Sequence, residues 1–266
     1  MRLADLAILD YTAEIARIPL HRGHQVLPLR TEPEQYVTAH YSAVVYADRS
    51  RAAELRHLLD EVRYQVNHDY SANGSGAYPD SYLYDFVVLS DGGKVRTRRD
   101  RRQLWHAGNA TANARSWAVH VLLGAGQNLT DAQRRSLFEL FDALRAETNI
   151  PRANVVAHCE WPRVRGLPVR SNRYRLLPGQ SACPGPTLFP HIPAYRSLPD
   201  GPKSYRVIEP MPVYEVPHVE PSRIALHGTA ILPVTQQIAI DQFYENGMGH
   251  LVGGLGFVEL AKATPL

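Results

Sequence analysis

Hydrophobic positions along this chain follow two periods, and the changes between them mark its elements. "YVTAHYSAVVY" (36–46) is dense in β-branched and aromatic residues and predicts a strand. Across 50–67, Ala53, Leu55, Leu58, Leu59, Val62 and Val66 recur at three- and four-residue steps behind Ser50, a natural cap, and predict an amphipathic helix. "SANGSGAYPD" (71–80) has the composition of a loop. "SYLYDFVVLSDGGKVRTRRD" (81–100) then reads as strand, Asp-Gly-Gly turn and strand, a β-hairpin.

"SWAVHVLLG" (116–124) has the near-continuous apolar character of a buried strand. The strongest helical signal covers 130–149, with Thr130 as N-cap, Asp131 in the first turn, and Leu137, Leu140, Phe141 and Leu144 on one face. "ANVVAHCEW" (153–161) predicts another short strand. The order β-α-β-β-β-α-β specifies a mixed α/β domain with a central β-sheet flanked by helices.

The flanks differ. Residues 1–36 carry no long periodic segment and read as a polar, proline-punctuated arm. Residues 197–204, "SLPDGPKS", have linker composition, and 205–266 supply only short strand-like runs between prolines and glycines, the pattern of a small all-β barrel. There is no internal repeat and no low-complexity tract.

Composition narrows the class. The 266 residues are 44% hydrophobic and 21% charged, with a net charge of +3, values that permit a real core and only weakly favour an anionic partner. Asp5, Asp10 and Glu14 interrupt the N-terminal apolar residues, so the start lacks the layout of a signal peptide. No apolar run approaches the ~20 residues of a membrane helix. The expectation is synthesis as a soluble cytoplasmic protein, with no stable membrane insertion and no nucleic-acid partner; oligomeric state is left open.

Two cysteines do not make a disulfide framework. Cys159, in an apolar run, is expected to be a small buried hydrophobe, and nothing supports a Cys159–Cys183 bridge. Cys183 has another possible role. His40 lies at the end of "YVTAH", His158 at the end of "VVAH", and Cys183 just before a Pro-Gly-Pro turn. Two imidazoles and a thiolate suit zinc, and three protein ligands leave a fourth tetrahedral position open. With 12 histidines in the chain, spacing alone equally accommodates ordinary core or surface histidines.

The motifs decide more than the spacing. "VTAHYSA" (37–43), "YDFVVLSDGG" (84–93), "WHAGNATANARSWAVHVLLG" (105–124), "LTDAQRRSLFELFDAL" (129–144), "VVAHCEW" (155–161) and "SACPGPTLF" (181–189) occur in the order found in type 2 N-acetylmuramoyl-L-alanine amidases. The chain resembles that family, which includes phage lysozymes and peptidoglycan recognition proteins, from residue 37 to about 192. The resemblance implies the amidase type 2 fold and zinc-dependent hydrolysis of the amide between N-acetylmuramic acid and L-alanine in bacterial peptidoglycan. It implies His40, His158 and Cys183 as zinc ligands and Tyr84 as the group that orients water or stabilises the tetrahedral intermediate. It also implies Trp105, His106 and Asn113 as substrate-groove residues.

Two positions depart from the pattern. Many members carry lysine two residues before the last ligand; here Ser181 stands there, a weaker catalytic donor. His120 replaces a glutamate common in relatives. The segment between His158 and Cys183 is basic, with Arg163, Arg165, Arg170, Arg173 and Arg175, and reads as a solvated loop or as a groove wall facing anionic wall groups. Residues 205–266 resemble, more loosely, bacterial SH3-like cell-wall-binding domains, with Tyr205, Tyr214, Phe243, Tyr244 and Phe257 as groove or core aromatics. Without a signal peptide, the resemblance implies a phage or prophage endolysin that reaches the wall through a membrane pore. A non-catalytic peptidoglycan-binding protein and an intracellular muropeptide-recycling amidase are the alternatives.

Overall fold

The computed structural model describes residues 2–71, 74–98, 100–174, 176 and 181–198, and beyond them the strands of the C-terminal region. The chain divides into two compact units, Met1–Arg196 and Ser197–Leu266.

The first unit contains, in chain order, β1 (Ile8–Asp10), α1 (Thr12–Ala16), β2 (His24–Gln25), β3 (Tyr36–Ala43), α2 (Arg51–Val66), β4 (Tyr78–Pro79), β5 (Phe86–Val88), β6 (Lys94–Arg96), α3 (Ala110–Arg115), β7 (Ser116–Gly124), α4 (Asp131–Thr148), β8 (Val155–Ala157), α5 (Gly185–Leu188) and α6 (His191–Ser197). Six strands form one sheet in the order β1-β6-β5-β7-β3-β8. Strand β3 runs parallel to both β7 and β8, β5 is parallel to β7, and only the β5–β6 hairpin contributes an antiparallel pair. The expected mixed sheet is present, with β3 one strand in from its edge, between β7 and β8.

Capping and burial explain the two long helices. The Ser50 hydroxyl accepts the Ala53 N–H, and the Thr130 hydroxyl accepts the Gln133 N–H, each satisfying a donor that the first helical turn leaves free. Leu58, Val62 and Val66 of α2 pack with Tyr82, Val87, Leu89, Val95 and Leu122 in one core cluster. Leu55 and Leu59 sit at its margin, partly buried. Also buried on α2, Glu54 accepts the Ser90 N–H and Gln65 accepts the Leu83 N–H, so the helix satisfies loop donors around the hairpin.

Two strands are shorter than their apolar runs. Strand β3 ends at Ala43, which has φ +61, and its pairing with β7 slips between Tyr41 and Ala43; Val44 and Val45 beyond are exposed. Strand β8 stops at Ala157 because the Glu160 carboxylate accepts the Ala157 N–H and closes a 3-10 turn over His158–Glu160. Helices α3, α5 and α6 are too short to reveal a helical period.

Residues 1–36, read as an arm, take part in the domain. Strand β1 pairs in parallel with β6 at the sheet edge, and Ile15 and Ile18 join the α2 core cluster. Arg30 is buried, donating to Glu34 at 2.9 Å and to the Ser116 carbonyl at 2.9 Å, and lying 3.4 Å from Asp85. Arg101 pairs with the same Glu34 at 2.8 Å.

In the second unit, strands β9 (Lys203–Val207), β10 (Met211–Pro212), β11 (Ile231–Leu232), β12 (Gln237–Phe243), β13 (Met248–Leu251), β14 (Phe257–Glu259) and β15 (Ala263–Pro265) are antiparallel. Five form a sheet in the order β14-β13-β12-β9-β15, and β10 pairs with β11. Ile240 and Val258 are buried. Tyr214 and Tyr244 lie outside the described residues, as do the side chains of Tyr205, Phe243 and Phe257.

The buried arginine generates a prediction. Arg30→Met removes the cation from two buried carboxylates, Glu34 and Asp85, and should destabilise the first unit by about 3–5 kcal/mol, read from its denaturant midpoint.

Candidate metal centre and cleft

Strand β3 delivers His40 to the centre of the site, with none of its surface exposed. The turn after β8 delivers His158, and the loop before α5 delivers Cys183. One ligand atom from each lies within 4.8 Å of the others, and His40 Nδ1 is 3.6 Å from Cys183 Sγ. The three residues assigned as ligands from sequence therefore converge on one point.

Hydrogen bonds set which nitrogen of His40 is free. His106 Nε2 donates to the Ala112 carbonyl at 3.3 Å, so its Nδ1 accepts from His40 Nε2 at 2.8 Å. That assignment leaves the His40 Nδ1 lone pair facing Cys183. His106 is thus a buried support for His40, and both of its nitrogens are engaged.

The cysteine loop is held from three directions. The Tyr41 N–H points at Cys183 Sγ (3.4 Å), the Cys183 carbonyl accepts the Cys159 N–H (2.7 Å), and the Ser181 hydroxyl accepts the Cys183 N–H (3.1 Å). The Cys183–Pro184 bond is cis. Gly185 follows at φ +77, where a Cβ would lie 2.6 Å from the Tyr41 ring; only glycine fits this turn without displacing that ring. Cys159 is a free, buried thiol whose pKa burial raises to about 12, in keeping with a small core side chain.

The His158 turn is pinned by Glu160, which was not singled out in the sequence. Its carboxylate accepts the Ala157 and Ser171 N–H groups and pairs with Arg196 of α6 at 2.8 Å. Nothing in the local pattern distinguishes this buried glutamate from a surface one.

Burial determines the charge of the converging residues. It holds His40 and His106 well below the usual 6.5, the neighbouring His158 adding to the effect, and lowers His158 to about 4 against an opposing hydrogen bond to the Ala107 backbone. It raises the Cys183 thiol, with the Tyr41 N–H opposing. At neutral pH the imidazoles are neutral donors, and the thiol requires a cation before it gives up its proton. A soft-to-borderline divalent metal fits this donor set and these fixed ring orientations.

Beside the ligands opens a cleft of about 560 Å³ lined by His158, His106, Tyr84, Trp105 and Asn113, together with Tyr70, Ala77, Leu83 and Gly108. The Tyr84 ring lies 4.9 Å from that of His40, and its backbone carbonyl accepts the Thr97 hydroxyl. Burial, reinforced by Cys183, holds its phenol well above the usual 10, so Tyr84 remains an O–H donor. Asn113 Oδ1 accepts the Ala107 N–H at 3.1 Å, which orients its amide group at the cleft. Asn109, which caps α3, donates to the Pro162 carbonyl at 2.6 Å and joins the cleft loop to the basic loop. Along that basic loop Arg163, Arg165, Arg170 and Arg173 are exposed, Arg170 bonding Asn154, while Arg175 lies outside the described residues. Among the described residues no helix is long and apolar enough to cross a membrane.

The ligand protonation states predict a pH response. His158 takes up a proton only near pH 4, whereas an unperturbed imidazole does so near 6.5, so the unfolded chain binds more protons between these values. Stability of the metal-free protein should be full above about pH 6.5 and fall as pH drops toward 4. Thermal midpoints against pH should show this slope, and His158→Gln should make it shallower, with the buried His40 and His106 accounting for what remains.

The profile of the family Amidase_2, described as N-acetylmuramoyl-L-alanine amidase, matches residues 30–186. No curated protein matches the sequence. Among solved structures, peptidoglycan recognition protein-LE in complex with tracheal cytotoxin, a monomeric diaminopimelic acid-type peptidoglycan, superposes at TM-score 0.50 with 19% identity over 71% of this chain and 93% of that one. A mutant of Drosophila PGRP-LB in complex with tracheal cytotoxin superposes at 0.50 with 18% identity, covering 70% and 92%. N-acetylmuramoyl-L-alanine amidase LysC from Clostridium intestinale URNW gives 0.42 with 19% identity, covering 73% and 99%. The two likenesses at 0.50 concern the fold. The profile match spans more than half of the sequence and includes His40, His158, Cys183 and the cleft residues between them: the chain belongs to the N-acetylmuramoyl-L-alanine amidase family.

Proposed function

We propose that the protein is a zinc-dependent peptidoglycan amidase that hydrolyses the bond between N-acetylmuramic acid and L-alanine. The observation that carries this reading is the convergence of His40, His158 and Cys183 within 4.8 Å, beside a cleft lined by Tyr84. His40, through Nδ1, His158 and the Cys183 thiolate would hold the ion. When bound, zinc supplies Lewis-acid polarisation of the scissile carbonyl and activates water for attack.

The protein's own groups do the rest. Tyr84 Oη keeps its proton and donates a hydrogen bond to the carbonyl oxygen as negative charge develops there. Ser181, accepting from the Cys183 N–H, retains its own hydroxyl proton as a second, weaker donor. Trp105 offers a flat apolar wall for the sugar or stem, and Asn113, with Oδ1 engaged, presents its NH₂ to a peptide carbonyl. His106, which also lines the cleft, holds His40 through its Nδ1. A cleft of about 560 Å³ admits a short stretch of stem peptide and the adjoining sugar. The exposed arginines of the loop after His158 favour an anionic wall.

For the C-terminal unit we propose an SH3-like wall-binding role, which raises the local concentration of substrate. In that setting the protein acts as an endolysin, made in the cytoplasm and admitted to the wall through a membrane pore.

Digestion of purified peptidoglycan with mass analysis of the products tests the reaction. Free stem peptides beginning at L-alanine should appear, vanish with a chelator and return with zinc. Intact muropeptides under every condition, with the protein still sedimenting with the wall, would make it a binding protein. Tyr84→Phe should lower kcat by about 10²–10³-fold while metal content stays stoichiometric. Removing 197–266 should spare hydrolysis of soluble fragments and reduce lysis of intact walls; equal loss on both would assign the tail to the catalytic fold.

A further inference from the structure

Behind Tyr84 lies a buried polar chain that the ligand cluster does not use. His120 on β7 is the register partner of His40 on β3 and is 1% exposed. Its Nε2 is 3.1 Å from the Ser42 hydroxyl and its Nδ1 2.7 Å from the Tyr82 hydroxyl. Tyr82, wholly buried, donates to Glu61 of α2 at 2.8 Å, and Tyr46 donates to the other oxygen of the same carboxylate. One assignment satisfies every group: Ser42 O–H to His120 Nε2, His120 Nδ1–H to the Tyr82 oxygen, and Tyr82 O–H to Glu61.

Hydrogen bonds at both ring nitrogens restrain rotation of the imidazole. Its face therefore becomes a fixed surface, and Tyr84 stacks on that face with ring centroids 4.4 Å apart and planes 14° from parallel. The Tyr82 ring meets Tyr84 edge-on at 5.1 Å, and His40 bounds it at 4.9 Å. An apolar interior at this place would avoid burying a carboxylate, an imidazole and two phenols. The polar chain instead gives direction, because the hydrogen bonds of its members favour a definite orientation of each ring.

We propose that His120 is a positioning residue for Tyr84: clamped by Ser42 on one side and by the Tyr82–Glu61 pair on the other, it aims the phenol at the His40, His158 and Cys183 pocket. Its consequence for turnover rests on the amidase reading, whereas its consequence for the Tyr84 ring does not.

The test uses the full-length, zinc-loaded protein with fluorotyrosine placed at position 84. Fluorine NMR should give one narrow line in the native background and a split or broadened line in His120→Ala. Glu61→Gln, which preserves shape and offers a milder route to the same loosening, should act in the same direction. In parallel, His120→Ala should lower kcat about 10–100-fold with KM and zinc stoichiometry unchanged, since small misplacements of a catalytic donor have effects of this order. The loss should disappear in a Tyr84→Phe background. An unchanged narrow line in both variants, or an equal further loss in the Tyr84→Phe background, would overturn the proposal. If the native protein cleaves no peptidoglycan, the amidase reading fails, and the fluorine spectra still decide whether His120 holds Tyr84.

Discussion

The domain is organised around bringing two imidazoles and a thiol into a largely buried site without their charges. A charged group there would be expensive, and burial keeps both histidines neutral and the thiol protonated. Neutral groups still need hydrogen-bond partners. His40 meets this through His106 and the Ala112 carbonyl, His158 through the Ala107 backbone, and Cys183 through the Tyr41 N–H. Each bond also turns its ligand toward the same point, so satisfying the buried polar groups and preorganising the site are one arrangement.

That arrangement depends on ties between distant parts of the chain. Strand β3 is a suitable base because β7 and β8 pair with it on either side. The loops carrying the other ligands have less regular structure, and side chains hold them instead. Glu160 links the His158 turn to α6 and to Ser171, while Asn109 links the cleft loop to the residues after Trp161. The N-terminal segment contributes through Arg30, whose guanidinium neutralises the buried carboxylates of Glu34 and Asp85. Stability and site geometry are thus coupled at several removes from His40, His158 and Cys183.

Much of the sheet-and-helix frame was legible because its signals are local. Ser50 and Thr130 cap the helices they precede, and the apolar stripe of α4 is the buried one. The hairpin turns at Asp91–Gly93 as its composition requires. The three converging residues, His40, His158 and Cys183, were legible through motifs rather than periodicity. Less visible were α3, α5 and α6, which are shorter than the window that exposes a helical period, and β1, whose three residues acquire meaning only beside β6.

By itself, the sequence determined which residues were chemically able to form the site: His40, His158 and Cys183 as donors, Tyr84 as a phenol near them, and the α/β frame that carries them. Only the tertiary structure decided how they are supported. It made His106 a prop for His40 and joined His120 to Ser42, Tyr82 and Glu61 behind Tyr84. The physical reason is separation along the chain. Capping and amphipathic periodicity act over a few residues and leave a local trace, whereas a hydrogen bond between side chains tens of residues apart exists only once the sheet has brought their strands together.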